Sequence, residues 1–228
     1  MIKINSMNTK KIMIATVAFA TVGTVAQSCL ALATSGVGIA IIKSVLLGGI
    51  TKGVGIFKNT ESFKQSDLIN KAMPSQLRSI NSILEKVAPS LVDKQKDYIA
   101  QAASYTVNLA EPILKNAVNG LTAQDVERIA AGGQGTATLI LKEKTQQQLV
   151  QAIMPKVDQK LNEFGIIAPI NNALKGNNLL GSLLGNKNTT DGSALSELAS
   201  QQIVNGLFNI IEDYETQNSQ QIYKALGK

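Results

Sequence analysis

The sequence predicts an all-α protein, and three observations favour this fold class. Of its 228 residues, 44% are hydrophobic, only 4% are aromatic and none is tryptophan. That composition suits packed helices better than a sandwich or a barrel. From residue 66 onward apolar residues recur at helical spacing, and no segment shows convincing strand alternation. We therefore predict a compact helical bundle preceded by a cleaved leader.

The first 28 residues have the pattern of an export signal. Lys10 and Lys11 precede an apolar run over residues 12–25, and a small-residue tract over 26–28 follows. The run of about 14 residues is shorter than the ~20 that a transmembrane helix needs. We therefore predict a signal peptide over 1–28 that is removed from the mature protein.

Cys29, the only cysteine, directly follows this leader. Its place after Ser28 resembles the acceptor site of bacterial lipoproteins, although Ala26 stands where leucine is usual and Gln27 is bulkier than typical. Acylation, for example with palmitate, would tether the body to a bilayer, because each buried methylene contributes about 0.8 kcal/mol. A secreted protein with a free thiol and an uncleaved anchor remain as alternatives. With the thiol acylated no disulfide can form, so the fold must rest on its apolar core.

Charge and composition limit the partners and the chemistry. Three of the 22 basic residues and none of the 16 acidic ones lie in the leader, so the mature net charge is +3. A weak, scattered charge does not indicate a nucleic-acid partner. The chain has no histidine, which removes the commonest general base and most zinc and iron sites. We predict no catalytic residue, no metal and no cofactor.

Residues 29–60 are assigned to an anchored, apolar and glycine-rich segment. Within it, Lys43 and Lys52 fall on opposite sides of a helix, so no face stays apolar over the whole length. A buried helix that packs on the body is favoured over a second membrane segment or an interfacial helix. The pair Gly48-Gly49 would permit a close helix approach or a break.

The helical domain is predicted over 61–228. A short helix covers 66–72, and Pro74 opens a second one, since its missing N–H costs nothing at a helix start. Pro89 follows the end of that second helix. Its apolar stripe comprises Leu77, Ile80, Ile83, Leu84 and Val87.

The next helix is predicted to begin at Ser90, whose spacing to Asp93 is that of a capping box. Pro112 should kink or divide this helix, and Gly120 can end it. Its inner face is predicted to comprise Tyr98, Ala102, Tyr105, Leu109, Ile113, Leu114 and Val118.

A brief helix starts with the capping spacing of Thr122 and Asp125 and runs through Ile129. The sharpest local break follows it, and we assign Gly132, Gly133 and Gly135 to a structural turn. A phosphate cradle is disfavoured there, because no strand precedes the glycines and the GxGxxG spacing is missing.

Two long helices complete the chain. One follows the glycines and contains Pro155, which predicts a bend; the other starts near Ser193 after a glycine- and asparagine-rich loop over 175–193. A final turn or two hold Ile222, Tyr223 and Leu226. The predicted inner faces comprise Leu149, Val150, Ile153, Met154, Val157, Leu161, Leu195, Leu198, Ile203, Leu207, Phe208, Ile211 and Tyr214.

Two motifs and a closing segment carry a resemblance. The stretches LTAQDVERIAAGGQGTATLILKEKT, ASQQIVNGLFNIIEDYE and IYKALG are similar to the uncharacterised bacterial family catalogued as domain of unknown function 4197, over roughly 68–227. The resemblance implies an all-helical, exported and often lipidated protein with no established activity. Relatives often place an aspartate after the glycine pair, where this chain has Gln134 and Gly135, so a role for that acid does not carry over.

Two carboxylate pairs are candidate sites. Asp93 and Asp97 share a helix face with lysines, which is typical of a solvated charged surface. Glu212 and Glu215 lie three residues apart and could bind a hard cation weakly, but an exposed polar face is favoured.

We therefore expect a non-catalytic, lipid-anchored protein with a binding or structural role at the periplasmic face of the outer membrane. The outer membrane is favoured because no aspartate follows Cys29, an expectation carried over from bacterial lipoproteins generally. Its partners would be the membrane, through Cys29, and a protein or an apolar ligand. A carrier of a lipid or other apolar ligand and, less favoured, a carboxylate-dependent envelope hydrolase are the alternatives.

Overall fold

The computed structural model describes residues 36–65, 67–175 and 191–226, and within these ranges the chain is helical with no strand. The all-α prediction is confirmed. The predicted leader, Cys29 and residues 176–190 of the predicted loop lie outside the described ranges. The helices are α1 (Gly36–Lys58), α2 (Thr60–Gln65), α3 (Leu68–Lys71), α4 (Ser75–Val87), α5 (Pro89–Asn119), α6 (Ala123–Ala131), α7 (Thr136–Glu163), α8 (Ile167–Lys175), α9 (Asp191–Gln217) and α10 (Ser219–Ala225).

Four long helices build the body of the molecule. α1 packs against α5 and α9, and α7 packs against the same two helices from the other side, so that the four form a closed ring of contacts. The ring encloses one continuous aliphatic core to which each of the four contributes. The phenylalanines in this core are few, and Phe57 and Phe63 contact each other at a centroid distance of 4.5 Å. The short helices pack around this bundle.

The apolar N-terminal helix α1 is part of that core. Ile42, Leu46 and Ile50 on α1 are fully buried. By length and composition α1 is also a helix that could cross a membrane, and 39% of its most apolar window is buried in the fold. Membrane-length helices of this kind occur in soluble cores as well, so this test does not choose between the two.

The two lysines of α1 contact the ends of neighbouring helices. Lys43 Nζ donates to the carbonyl oxygen of Asn119, the last residue of α5, at 2.7 Å. Lys52 Nζ donates to Gln217, the last residue of α9, at 3.4 Å and lies 5.7 Å from the ring centre of Tyr214. Cations at helix C-termini are favourable, because the last carbonyl groups carry partial negative charge. Both lysines therefore fasten α1 to the body.

The predicted inner face of α5 is correct for Ala102, Leu114 and Val118, which are buried, and wrong for Tyr105 and Leu109. Tyr105 and Leu109 are 48% and 42% exposed, whereas Ala103 and Val107 are buried. The buried face of α5 combines small side chains, such as Ala103 and Ala110, with large ones, such as Ile99. Tyr105 then lies beneath Lys160 of α7, whose Nζ is 4.5 Å from the ring centre.

The start of α5 also differs from the prediction. The helix begins at Pro89, and its N-cap is Ala88 with no side-chain hydrogen bond, so the predicted Ser90 capping box is wrong. The fixed φ of proline suits the first helical position, and proline has no backbone N–H that needs a hydrogen bond from a capping side chain. The helix then runs through Pro112 without dividing, and Gly120 caps its end. Val87, just before this junction, is 55% exposed rather than buried.

The capping box at α6 is confirmed. Thr122 Oγ1 accepts from the Asp125 backbone N–H at 3.2 Å, and Asp125 Oδ2 accepts from the Thr122 backbone N–H at 2.8 Å. The helix continues two residues past the predicted end to Ala131. Its successor α7 passes through Pro155 without a break, and α9 begins at Asp191, two residues before the predicted start.

Candidate functional site

The turn between α6 and α7 positions the candidate site. Gly132 ends α6 by donating its N–H to the carbonyl oxygen of Arg128 at 3.0 Å. Gly135 directly precedes α7 and has a φ of 82°, in the left-handed region that residues with a side chain rarely adopt. A short glycine turn therefore aims the N-terminal end of α7 at the C-terminal half of α9.

A buried glutamate on α9 binds that helix end. Glu215 is 2% exposed. Its Oε1 accepts from the Ala137 backbone N–H at 3.1 Å, and its Oε2 accepts from the Thr138 backbone N–H at 2.7 Å and the Thr138 hydroxyl at 2.6 Å. A carboxylate is well placed at a helix N-terminus, where the free N–H groups carry partial positive charge. Glu215 thus caps α7 from a distant part of the chain.

The expectation of an exposed polar face at Glu212 and Glu215 is wrong for Glu215. The two carboxylates lie three residues apart on α9, but Glu212 is exposed whereas Glu215 faces the core. Local sequence gave no signal for this, because the partner is 77 residues away along the chain. The sequence did offer one hint, since Glu215 lies on the same helix face as the apolar residues Ile211 and Phe208.

Three of the backbone N–H groups at this helix end, those of Thr136, Ala137 and Thr138, already have acceptors within the protein. A helix leaves its first four N–H groups without helical partners. Here Glu215 accepts from Ala137 and Thr138, the N–H of Thr136 donates to the Gly133 carbonyl at 3.3 Å, and that of Leu139 donates to the Gly135 carbonyl at 2.9 Å. The glycine segment 132–135 therefore acts as a turn, and the Glu215 carboxylate occupies the place at the helix end where an external anion would bind.

Gln134 connects the turn to the C-terminal helix. Its Nε2 donates to Ser219 Oγ at 3.2 Å, and Ser219 is buried at the start of α10. The residue that directly follows the glycine pair therefore makes a side-chain contact with the C-terminal helix.

A cleft of about 220 Å³ opens beside this network. It lies between the first turns of α7 and the face of α9 that carries Asn209 and Glu212. Lys142 leans over the ring of Phe208, with Nζ 5.9 Å from the ring centre. Leu139 at the cleft is 52% exposed, which is unusual for a large apolar side chain. The cleft lining comprises Gln134, Gly135, Thr136, Thr138, Leu139, Lys142, Phe208, Asn209 and Glu212.

An ion pair holds α6 against α7 next to the cleft. Lys144 Nζ lies 2.9 Å from Oδ2 of the buried Asp125. Burial raises the pKa of the Asp125 carboxyl, but the hydrogen bonds from the Thr122 N–H, the Lys144 ammonium and the Thr122 hydroxyl, with the Lys144 charge, outweigh it. The pKa of Asp125 therefore lies below its ordinary value, and the carboxylate stays ionised near neutral pH.

The other candidate acids, Asp93 and Asp97, do not line this cleft. Asp97 pairs with Lys64 at 2.6 Å, and Asp93 is exposed on the same helix. The hydrogen bond to Asp97, and then the charge of Asp97, raise the pKa of Lys64. In the described part of the chain no group of three or more acidic or cysteine side chains is arranged to hold a metal ion. Cys29 lies outside the described residues, so the structure does not place the predicted acylation site.

Comparison with known proteins gives one match. A family model described as "Protein of unknown function (DUF4197)" matches residues 34–224. No curated protein and no solved structure matches the chain. The matched region spans the two motif segments 121–145 and 199–215, and the structure brings both together: the first supplies the glycine turn and α7, and the second supplies Glu215 and the opposite wall of the cleft.

Proposed function

We propose that this chain, which belongs to the DUF4197 family of proteins of unknown function, is a non-catalytic, lipid-anchored envelope protein that binds a partner protein at the α7–α9 cleft. An acylated Cys29 would hold the body at the periplasmic face of the outer membrane. The family supplies no activity, so the proposal rests on the cleft and on the pattern of the first 29 residues.

The observation that carries the binding role is the exposed Leu139 at a preorganised cleft. The first turn of α7 is held by Glu215, so Leu139 lies on a rigid support. Around it, Lys142 and Glu212 provide charges of both signs. An apolar contact bordered by polar groups is typical of the centre of a protein interface. The cleft therefore suits an apolar side chain of a partner protein.

The size of the cleft favours this partner over an apolar ligand. Pockets for small molecules usually enclose about 300–1,000 Å³. The cleft, at about 220 Å³, holds a side chain more readily than a lipid.

The acids at the cleft favour binding over hydrolysis. A two-carboxylate hydrolase needs one acid free to give a proton and the other free to act on water or substrate. Both oxygens of Glu215 accept hydrogen bonds from α7, which leaves Glu212 as the acid that lines the cleft. For this reason we place hydrolysis behind binding.

Site-specific crosslinking in cells tests the binding role. A photoreactive amino acid at Asn209, which lines the cleft, should form a covalent adduct with a discrete partner. Leu139→Arg should abolish the adduct, because it places a charge in the apolar contact. Leu109→Arg is the matched control, since Leu109 is a similarly exposed leucine outside the cleft. Absence of an adduct, or equal loss in both variants, contradicts the proposal.

The anchor is tested by Cys29→Ala. The intact protein should fractionate with membranes and carry acyl chains on its N-terminal residue by mass spectrometry, and the variant should lose both properties. The anchor is refuted if the variant still associates with membranes and the parent protein carries no acyl mass on residue 29. That outcome would leave the crosslinking result unaffected.

A further inference from the structure

A second cavity, of about 340 Å³, lies among α3, α4 and α5. It shares no lining residue with the α7–α9 cleft. Its volume is within the range of small-molecule sites. Its polar lining comprises Asn70, Arg78, Asn81, Ser82, Glu85 and Lys96.

The feature of this cavity that the fold does not explain is an amide oxygen without a hydrogen-bond partner. Asn81 is only 6% exposed and lies on the buried face of α4 between Leu77 and Leu84. Its Nδ2 donates to the Met73 sulfur at 3.4 Å, a weak acceptor, and its Oδ1 has no hydrogen-bond partner. A buried acceptor without a partner is unfavourable for folding. A leucine at this position would serve the core better, so a ligand with an N–H or O–H donor is the simplest reason for the amide.

The charged groups of the cavity indicate the rest of the ligand. Arg78 on α4 and Lys96 on α5 line it and form no ion pair within the described residues. An unpaired guanidinium and an ammonium suit a carboxylate, which arginine can bind through two hydrogen bonds. Glu85 supplies one negative charge at the same cavity and is also unpaired.

We propose that this cavity binds a small zwitterion of the α-amino acid type, either a free amino acid or a short peptide. Its carboxylate pairs with Arg78 and Lys96. Its ammonium pairs with Glu85 and, after a rotation of the Asn81 side chain, donates to Asn81 Oδ1, an atom that is closed to solvent in the ligand-free protein. The proposal is independent of the partner-binding cleft.

Calorimetric titration and thermal unfolding of the purified full-length protein in mild detergent test this site. L-Alanyl-L-alanine should bind and raise the melting temperature. Its N-acetyl derivative, which lacks the ammonium, and its C-terminal amide, which lacks the carboxylate, should each bind at least about tenfold more weakly. L-Alanine distinguishes the two sources: binding as tight as that of the dipeptide assigns the site to free amino acids, and weaker binding assigns it to peptides.

Two variants connect binding to the named residues. Asn81→Leu should abolish dipeptide binding while the melting temperature of the ligand-free protein stays the same or rises. Arg78→Ala with Lys96→Ala should also abolish binding, and these side chains are exposed or partly exposed, so the fold should persist. Lys86→Ala with Lys94→Ala is the matched control, because these exposed lysines lie on the same two helices outside the cavity.

Three results would each overturn the proposal. The first is no heat and no thermal shift with the dipeptide and with L-alanine. The second is binding of the N-acetyl derivative as tight as that of the dipeptide. The third is loss of binding in the control pair equal to the loss in the Arg78 and Lys96 pair.

Discussion

At the scale of single residues, Glu215 is the side chain on which the site depends most. Replacing it by alanine leaves the N–H groups of Ala137 and Thr138 without acceptors in a buried position. Because each unpaired buried donor costs about 1–3 kcal/mol, we expect Glu215→Ala to lower the free energy of unfolding by about 3 kcal/mol. Chemical denaturation followed by circular dichroism measures this loss.

Two further variants show whether the carboxylate itself is responsible. Glu215→Gln should lose less, since its amide oxygen can still accept from Thr138 while its NH₂ group faces the donor of Ala137. Glu212→Ala, on the exposed side of the same helix, should change the stability by less than about 0.5 kcal/mol. Equal losses at positions 212 and 215 would show that the capping role is wrong.

Asp125 makes stability depend on pH. Its pKa is lower in the folded protein than its ordinary value of 3.8, so its contribution is complete above a pH of about 4. The contribution is lost as the pH falls through the lower, folded pKa. We therefore expect the free energy of unfolding of the parent protein to decrease more steeply below a pH of about 4 than that of Asp125→Asn.

Denaturant titrations at a series of acidic pH values measure the difference between the two proteins. Asp93→Asn serves as the control for the loss of an aspartate, because Asp93 is exposed on α5. A constant difference between the parent protein and Asp125→Asn across the acid range would contradict the role of the ionised carboxylate.

Residue-level prediction from sequence succeeded only at local interactions, and not at all of them, since the predicted Ser90 capping box does not form. The Thr122–Asp125 box could be predicted because both partners lie within one helical turn. Glu215 could not, because its donors become neighbours only when α7 and α9 pack together. Asn81 was also not predicted as a site residue. Its spacing on α4 places it within the apolar stripe.

At the scale of the helices, the glycines of α1 set how closely it packs on α9. A Cβ atom at Gly49 would lie 3.2 Å from the Ile211 Cα and 3.3 Å from its carbonyl oxygen, so the backbones would have to separate. A Cβ at Gly55 would meet nothing within 4 Å. Of the two interpretations of the pair Gly48-Gly49, close approach is correct, since α1 is unbroken.

Alanine at these two positions should therefore act in opposite directions. Gly49→Ala should lower the free energy of unfolding by about 1–3 kcal/mol through overpacking. Gly55→Ala should raise it by about 0.5–1 kcal/mol, because alanine loses less conformational entropy on folding. Paired denaturation curves provide the measurement, and stabilisation by both variants would show that α1 and α9 are not closely packed.

It was easier to predict which segments are helical than to predict which face of each helix is buried. In α5 the series through Tyr98, Ala102, Tyr105 and Leu109 and the series through Ile99, Ala103 and Ala110 both have helical spacing. Hydrophobicity favours the larger side chains, but the neighbouring helix is accommodated by the small ones. Neither proline divides its helix, since α5 and α7 continue through Pro112 and Pro155.

At the scale of the whole molecule, α1 has two possible environments. Its length and hydropathy would allow it to cross a membrane. In the fold it completes the ring of four long helices, and removing it would expose the core faces of α5 and α9 to water. Hydrophobic burial contributes about 25 cal/mol per Å² of apolar surface, so separation would be costly. We expect α1 to stay packed on the body in the anchored protein.

A crosslink between α1 and α9 tests this arrangement in intact membranes. A Cβ built at Gly53 lies 3.9 Å from the Ile210 Cβ, within the ~3.5–4.5 Å range of disulfides. Gly53→Cys with Ile210→Cys should form an intramolecular disulfide in membrane fractions after mild oxidation, visible as a mobility shift that reductant reverses. The pair Gly55→Cys with Ile210→Cys is the control, since Gly55 has no neighbouring atom within reach. If the first pair crosslinks in detergent-purified protein but not in membranes, α1 leaves the bundle when the protein is anchored, and the core described here is then that of the released form.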